Sequence, residues 1–554
     1  MKIQKVPGFL LVLSLTAFLT VSLEAQAGGR FEHGVASGDP LTDAVILWTR
    51  VTPERSGRVR VAWEVSESED FSAIVQNGEL NTSSRWDYTV KVDVRGLKAG
   101  QTYFYRFRVG ESMSPVGRTR TLPTGSVEKL TFAVVSCSNF PQGYFNVYRA
   151  ITEHDEIDAV LHLGDYIYEY PRGAYSSDRA GAMDRESLPE GEVITLADYR
   201  IRHAQYKADP DSQEVHRLFP FIAVWDDHEL ANDAWHSGAE NHDEGEGRWK
   251  KRRNAAVRAY QEWMPIRPAR GRDAAGRIYR NFEMGDLASL VMLDTRLIGR
   301  DEQMSFDDRL GKDINSPEAA RKFLDEELGA PARTLLGETQ ENWLAARLRD
   351  SKSRGVTWQI IGQQLIVAPT VVPDLEGLEI VAGKDTEATV LWIDELKKLR
   401  ALGLPWNLDA WDGYPAARQR FLDTMQQHAS NAVVLSGDTH NSWAYHLQNE
   451  DRTRVHGVEL ATPGVSSPGM ESYLPVESDE LLRRAYEALP HMAYANITDR
   501  GYLLLRVTPD ELVAEWRYVS TVLSRDYTVR CEKALAVQAT DGPGTGLLKE
   551  KPCE

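Results

Sequence analysis

The 554-residue sequence predicts an α/β protein in which two sheets pack between helix layers, preceded by an N-terminal β-sandwich of the immunoglobulin or fibronectin type III kind. Three observations predict it. Residues 30–125 are short alternating runs broken by Gly, Pro, Asn and Ser turns, whereas from residue 128 apolar strands alternate with amphipathic helical stretches. Four aliphatic runs then end in polar segments. Val134-Val135 leads into Ser136-Cys137-Ser138-Asn139, and Ala159-Val160-Leu161 into Gly164-Asp165-Tyr166-Ile167-Tyr168-Glu169. Ile222-Ala223-Val224 leads into Trp225-Asp226-Asp227-His228-Glu229, and Val433-Val434-Leu435 into Ser436-Gly437-Asp438-Thr439-His440. Open α/β sheets collect their ligands at the carboxyl ends of such strands, so one site assembled from distant segments is expected.

In chain order, Lys2 and Lys5 precede an apolar run from Phe9 to Leu23 that ends at Ala25-Gln26-Ala27, the pattern of a Sec-type signal peptide over residues 1–27. The run is shorter than the ~20 residues an anchor needs, and no later segment is long and apolar enough to span a bilayer. The mature chain is therefore expected to be soluble and periplasmic or secreted. In residues 30–125 the strands are placed at Ala44 to Thr49, Arg58 to Trp63, Tyr88 to Val92 and Tyr103 to Phe107, with Thr121 to Gly125 as linker. Residues 128–520 form the second domain. Its helices are expected at Asn146 to His154, Leu196 to Lys207, Trp249 to Met264, Thr339 to Ser351 and Ala416 to His428, the last behind Pro415 at a first-turn position. Strands follow at Ser442 to Leu447, Gly457 to Ala461, Tyr502 to Val507 and Leu512 to Tyr518. The acidic stretches 238–247 and 302–330 read as surface insertions, and 521–554 as a tail.

The formal charge of −18 becomes −19 once the leader, with Lys2 and Lys5 against Glu24, is removed. A stable nucleic-acid complex is not expected, because the best basic run, Lys250-Lys251-Arg252-Arg253, is brief and reads as a solvated helix face. Of three cysteines, Cys531 and Cys553 are the expected disulfide partners in an oxidising compartment. Cys137 closes a strand among the polar motifs, so it is read as a metal ligand rather than a small buried hydrophobe.

The chemistry of the strand ends points the same way. Asp165 and Tyr168 are three apart in one loop, so a carboxylate and a phenol can converge; a phenolate is a hard donor suited to a trivalent ion. Asp165 can bridge two ions through its two oxygens. Alternation on an extended segment puts Asp438 and His440 on one side. Asp226 reads as a helix N-cap. Arg296, after the strand Ser289 to Leu293, reads either as a bidentate phosphate clamp or as a salt bridge to Asp294 or another carboxylate. His162, His236, His242 and His446 lack such pairing and read as structural or exposed.

The motifs in this order, together with Gly34-Val35-Ala36-Ser37-Gly38-Asp39-Pro40, Leu293-Asp294-Thr295-Arg296, Leu336-Gly337 with Gln340 and Trp343-Leu344, and Trp411-Asp412-Gly413-Tyr414, resemble the PhoD-type alkaline phosphatase family of calcineurin-like metallophosphoesterases. Nearly the whole mature chain is covered. The resemblance implies a four-layer α/β/β/α catalytic sandwich and a site holding iron(III) with one or two calcium ions, zinc or manganese being the alternative. Where related enzymes carry Gly-Asn-His-Glu, this chain has Asp226-Asp227-His228-Glu229. Asp227 is thereby assigned to the second metal, with Asn232 as a further oxygen donor able to replace or assist it. His228 is assigned to phosphate or the leaving oxygen. The usual Gly-His-x-His is Gly437-Asp438-Thr439-His440, and the exchange of histidine for aspartate moves preference from zinc toward calcium. Tyr168 resembles the iron-binding tyrosine of purple acid phosphatases. Implied metal ligands are thus Cys137, Asp165, Tyr168, Asp227, Asn232, Asp438 and His440, and His228 and Arg296 are the catalytic candidates.

The implied reaction is hydrolysis of phosphate mono- or diesters by a metal-held hydroxide. A phospholipase D-like diesterase of the same family and a non-catalytic metal-binding protein are the alternatives. Relatives often carry a twin-arginine signal, whereas this leader has single lysines, which favours Sec over Tat export. Relatives also carry C-terminal segments over the metal cleft, which places the tail near the active site, and Trp411 to Tyr414 is expected to line that cleft.

Overall fold

The aliphatic runs that precede the polar motifs become neighbouring parallel strands. A computed structural model describes residues 1, 28–269, 276–311, 316–376, 387–449, 453–472, 479–542 and 544–554; the expected leader, Met1 apart, lies outside them. Leu130–Val135, Ala159–His162 and Pro220–Ala223 lie side by side in a ten-stranded sheet. In a seven-stranded sheet Ala288–Met292, Trp358–Gly362, Asn431–Ser436 and Val455–Ala461 are parallel in the same way. Side chains alternate across the second sheet as its pleat requires. Leu290, Ile360 and Val433 share a core with Val134 and Leu161 of the first sheet. Their neighbours Val291, Ile361 and Val434 pack with Leu344, Leu348, Phe421 and Met425 of the helices Gly337–Ser353 and Pro415–His428. The helices Leu196–Ala208, Pro210–Leu218 and Trp249–Trp263 contribute Tyr199, Tyr206, Val215 and Tyr260 to the first core. No helix among the described residues is long and apolar enough to cross a membrane.

The N-terminal sandwich has a core of Val45, Leu47, Val61, Val65, Tyr103 and Phe107, but one of its two sheets is not its own. Val35–Gly38, Ala44–Arg50 and Thr89–Arg95 continue the ten-stranded sheet, because Ser37 and Gly38 pair in parallel with Pro220 and Phe221. Facing them are Gly117–Arg120, Thr102–Val109, Val59–Ser66 and Ile74–Thr82. Asp39, in the left-handed region at φ 43°, pins the join: its carboxylate accepts from Arg280 Nη2 at 2.6 Å and from the backbone N–H of Arg267 at 2.6 Å. The chain thus changes character near residue 125 without a break in backbone hydrogen bonding.

Three expectations are corrected here. Residues 302–330 are not merely a surface insertion, since Phe323 and Leu328 are buried in the second core. Within 238–247, Asn241 reaches inward to Glu169. The tail follows expectation only at its start, where Thr521 O and Ser524 O accept from Asn146 Nδ2 just beyond the Cys137 motif; Lys549–Lys551 is instead the edge strand of the large sheet, paired to Val529–Gln538. Thr540 and Thr545 bond to Asn431 and Ala432, at the opposite end of the strand that runs to Ser436.

Cys531 and Cys553 are bonded, closing 22 residues, and Cys137 is free and buried. Opening a loop of that length by Cys553→Ser should lower stability by about 3 kcal/mol on the chain-entropy scale. Because the bond lies three strands to the side of Leu130–Val135, hydrolytic activity should hold. Urea denaturation and an activity assay check both; an unmoved midpoint would mean that the strand pairing alone retains the tail.

Candidate metal centre

Three of the four polar motifs leave their strands through a sharp turn that no ordinary extended residue could make. Cys137, Asp165, Asp438 and His440 all occupy the left-handed region, at φ 60°, 55°, 63° and 60°. Such conformations are costly for non-glycine residues and cluster where side chains must be aimed. Gly164, at φ 115°, lets two loops meet: a Cβ there would fall 2.5 Å from Asp226 Cβ. The buried Glu229 carboxylate ties the same loops together by accepting from the backbone N–H groups of Asp165, Tyr166 and Asp226, at 3.1, 2.6 and 2.8 Å. Burial raises its pKa to about 8.

Cys137 Sγ, a carboxylate oxygen of Asp165 and a ring nitrogen of His440 lie within 4.8 Å of one another. Tyr168 joins them. Its hydroxyl is 3.1 Å from Asp165 Oδ2 and 3.2 Å from His440 Nε2, and it accepts from Ser467 Oγ at 2.7 Å. His440 Nδ1 donates to Pro468 O at 2.7 Å, which fixes the tautomer and leaves the Nε2 lone pair facing the cluster. Burial pushes His440 down to about 3, so the ring is neutral. Burial, reinforced by the Asp165 carboxylate, raises both the Cys137 thiol and the Tyr168 phenol well above their ordinary values. Asp165 Oδ1 is buried without a hydrogen-bond partner. Thiol, phenol, carboxylate and neutral imidazole around an orphaned oxygen make a donor set that fits a highly charged transition-metal ion.

A second cluster adjoins the first. Asp165, Asp227 and His228 form one group of converging ligand atoms, and Asp226, Asp227 and Asp438 another. Asp165 belongs to both the thiol cluster and the His228 group, as a bridging carboxylate would. Asp227 Oδ1 and Oδ2 accept from the backbone N–H groups of His228 and Asp233, at 3.1 and 2.7 Å. Burial opposes ionisation of Asp227, but Arg296 and His228 outweigh it and bring its pKa to about 2. Neighbouring Asp226 is raised to about 7, by burial against the pull of Arg296, and its Oδ2 also lacks a partner.

Arg296 is fully buried and committed to carboxylates. Nε donates to Asp226 at 2.5 Å, Nη1 to Asp409 at 2.8 Å and Nη2 to Asp438 at 3.2 Å, with Asp227 at 3.5 Å. Of the two roles expected for it, the salt bridge is the one present, though not with Asp294, which accepts from the backbone N–H groups of Arg296 and Leu297. The N-cap role expected for Asp226 is corrected: no helix starts there.

His228 Nδ1 is hydrogen-bonded to Glu169 Oε2 at 2.8 Å, leaving Nε2 for a ligand. Glu169 is itself held by Asn232 N and Asn241 Nδ2, at 2.7 and 2.8 Å. The His228 ring lies over Tyr168 with centroids 4.2 Å apart. Burial acts to lower its pKa, but Glu169, Asp227 and Asp165 prevail and hold the imidazolium well above its usual range. Asn232 turns its amide nitrogen to Glu240, at 3.1 Å.

Several contributors were not foreseen as such. Glu169 and Glu229 sit inside the quoted motifs, and their spacing to Asp165 and His228 was the available signal. Asp409 and Ser467 carry no local signal. Trp411 and Gly413 do not line the cleft: Trp411 is buried against Phe421, and a Cβ on Gly413 would fall 1.9 Å from Leu408 O. The open side beside Asp438 and His440 is instead a cleft of about 260 Å³ bordered by Trp392, Trp406 and Met470.

Over residues 132–516 the sequence matches the family described as PhoD-like phosphatase, and over 19–123 the family described as the N-terminal domain of PhoD-like phosphatase. It is similar to alkaline phosphatase D of Bacillus subtilis (strain 168), 33% identical over 558 residues that cover 98% of this chain and 86% of that protein. A solved structure of PhoD superposes with a TM-score of 0.77 at 31% identity, covering 95% of this chain and 93% of the other. Strand-end donors, fold and sequence agree: the chain belongs to the PhoD-like phosphatase family and is a phosphoric ester hydrolase.

Proposed function

We propose that this is an exported alkaline phosphatase acting on phosphate mono- and diesters, with iron(III) at Cys137, Asp165, Tyr168 and His440 and calcium at Asp227 and Asp438. The observation that carries the reading is the junction of two unlike donor sets through Asp165, one with sulfur, phenol and imidazole, the other carboxylate-rich. Hard carboxylates suit calcium, and a thiol–phenol pair suits iron(III). When bound, the ions supply positive charge to the phosphate oxygens and activate water.

The protein's own groups set the rest. Glu169 fixes the His228 ring so that Nε2 presents a proton to phosphate or the departing alcohol oxygen. Arg296 holds Asp226, Asp409 and Asp438 in register. Asn232 is an auxiliary oxygen donor to the calcium side. Export proceeds by the Sec route implied by the leader, to the periplasm or beyond.

Metal analysis paired with hydrolysis of p-nitrophenyl phosphate and its bis-ester tests the assignment. Purified protein should contain iron and show a visible phenolate-to-iron charge-transfer band. Chelation should abolish turnover, and calcium should restore it better than zinc. Colourless, active protein with zinc as its sole transition metal would overturn the metal assignment.

A further inference from the structure

The cleft of about 260 Å³ beside the metal centre has a composition that selects among phosphate esters. Its floor is Asp438 and His440, and its wall is Trp392, Trp406 and Met470. Trp392 comes from the helix Glu387–Leu402, whereas Trp406 lies in the segment after that helix, with its backbone N–H bonded to Thr370 O. Both indoles are partly buried against the second core, which fixes their positions while leaving part of each exposed. Among the described residues that border this cleft there is no lysine or arginine, and Asp438 adds a carboxylate. A second anionic group on the substrate would therefore find no lysine or arginine to pair with in this cleft.

We infer that this cleft is a subsite for a planar, uncharged aromatic ring on one esterifying group of the substrate; this rests on the phosphoesterase reading proposed above. Indole surfaces favour a flat π-system over a charged or heavily hydrated group, and a methionine sulfur adds a favourable edge contact. Polar groups at the cleft favour a ring that accepts hydrogen bonds. Thr439 Oγ1 accepts from Trp443 Nε1 at 2.9 Å, so its own proton is free to be donated. Asn407 uses its Oδ1 on the backbone N–H groups of Asp409 and Ala410, which leaves its amide nitrogen as a donor. A saturated chain would cover the same apolar wall but give these donors nothing.

Two diesters with the same leaving group provide the test: bis(p-nitrophenyl) phosphate and methyl p-nitrophenyl phosphate, compared by their ratio of kcat/KM. Stacking against an indole corresponds to a several-fold to about tenfold effect. Trp392→Ala and Trp406→Ala should each reduce the aryl-over-methyl ratio by about three- to tenfold, mainly through KM of the aryl ester, and the Phe replacements should retain most of it. An unchanged ratio, or an equal loss on both esters, overturns the subsite while leaving the phosphoesterase reading standing. Wild-type protein inactive on both diesters would overturn the diesterase part of that reading and the subsite with it.

Discussion

Asp165→Ala should yield folded protein that has lost bound metal and hydrolyses phosphate esters at least about a thousandfold more slowly, since metal stabilisation of the transition state amounts to several kcal/mol. The side chain stands at the junction of the two clusters, with one oxygen already orphaned, so its removal withdraws a donor from each at once. His228→Ala separates ligand from catalyst. It should leave metal content near normal and lower turnover by about 10²–10⁴-fold, as for a lost acid–base group. Metal analysis and kinetics on the same two preparations decide this. Full rate in the His228 variant would make its role structural, and retained metal in the Asp165 variant would sink the bridging assignment.

The second large effect concerns Arg296→Met. In the metal-free protein the substitution leaves Asp226, Asp227 and Asp438 buried without their shared guanidinium, and breaking such a buried arrangement costs about 3–5 kcal/mol. Calcium should recover part of that loss, because a cation among the carboxylates replaces some of the missing charge. Urea denaturation in chelator and in calcium supplies the comparison. If the variant equals the parent in chelator, Arg296 does not organise the carboxylates.

Local patterns carried the strand ends and missed what crosses the fold. The five helices placed from periodicity are all present, as Asn146–Ile151, Leu196–Ala208, Trp249–Trp263, Gly337–Ser353 and Pro415–His428. Cys137, Asp165, Tyr168, Asp227, His228, Asp438 and His440 were legible because each follows an aliphatic run, and the structure brings them together. Arg296 was noticed but its partners were not, since Asp226 and Asp409 lie 70 and 113 residues away and no periodicity links them. The helix Pro210–Leu218 was not foreseen, although the Asp209 cap and the proline in its first turn are local signals for it. The strand Ile74–Thr82 was hidden by Asn77-Gly78, which reads as a hairpin turn. There the sheet overrides the local preference, with Gly78 pressed so closely on the Trp63 indole that a Cβ would lie 2.8 Å from its Cζ2.

The shared ten-stranded sheet also governs the order in which the chain can be completed. Val35–Gly38 finds its parallel partner only at Pro220–Ala223, and Leu130–Val135 pairs on one side with Arg500–Val507 near the end of the chain. During synthesis the strand leading to Cys137 therefore presents an unpaired edge until some 370 residues have followed it, as the pairing of Leu130 with Val507 and Phe132 with Leu505 shows. Closing contacts of such sequence separation is slow, and an open edge invites association with other chains. The edge beside Leu130–Val135 is therefore closed only after the carboxyl-terminal strands have been made.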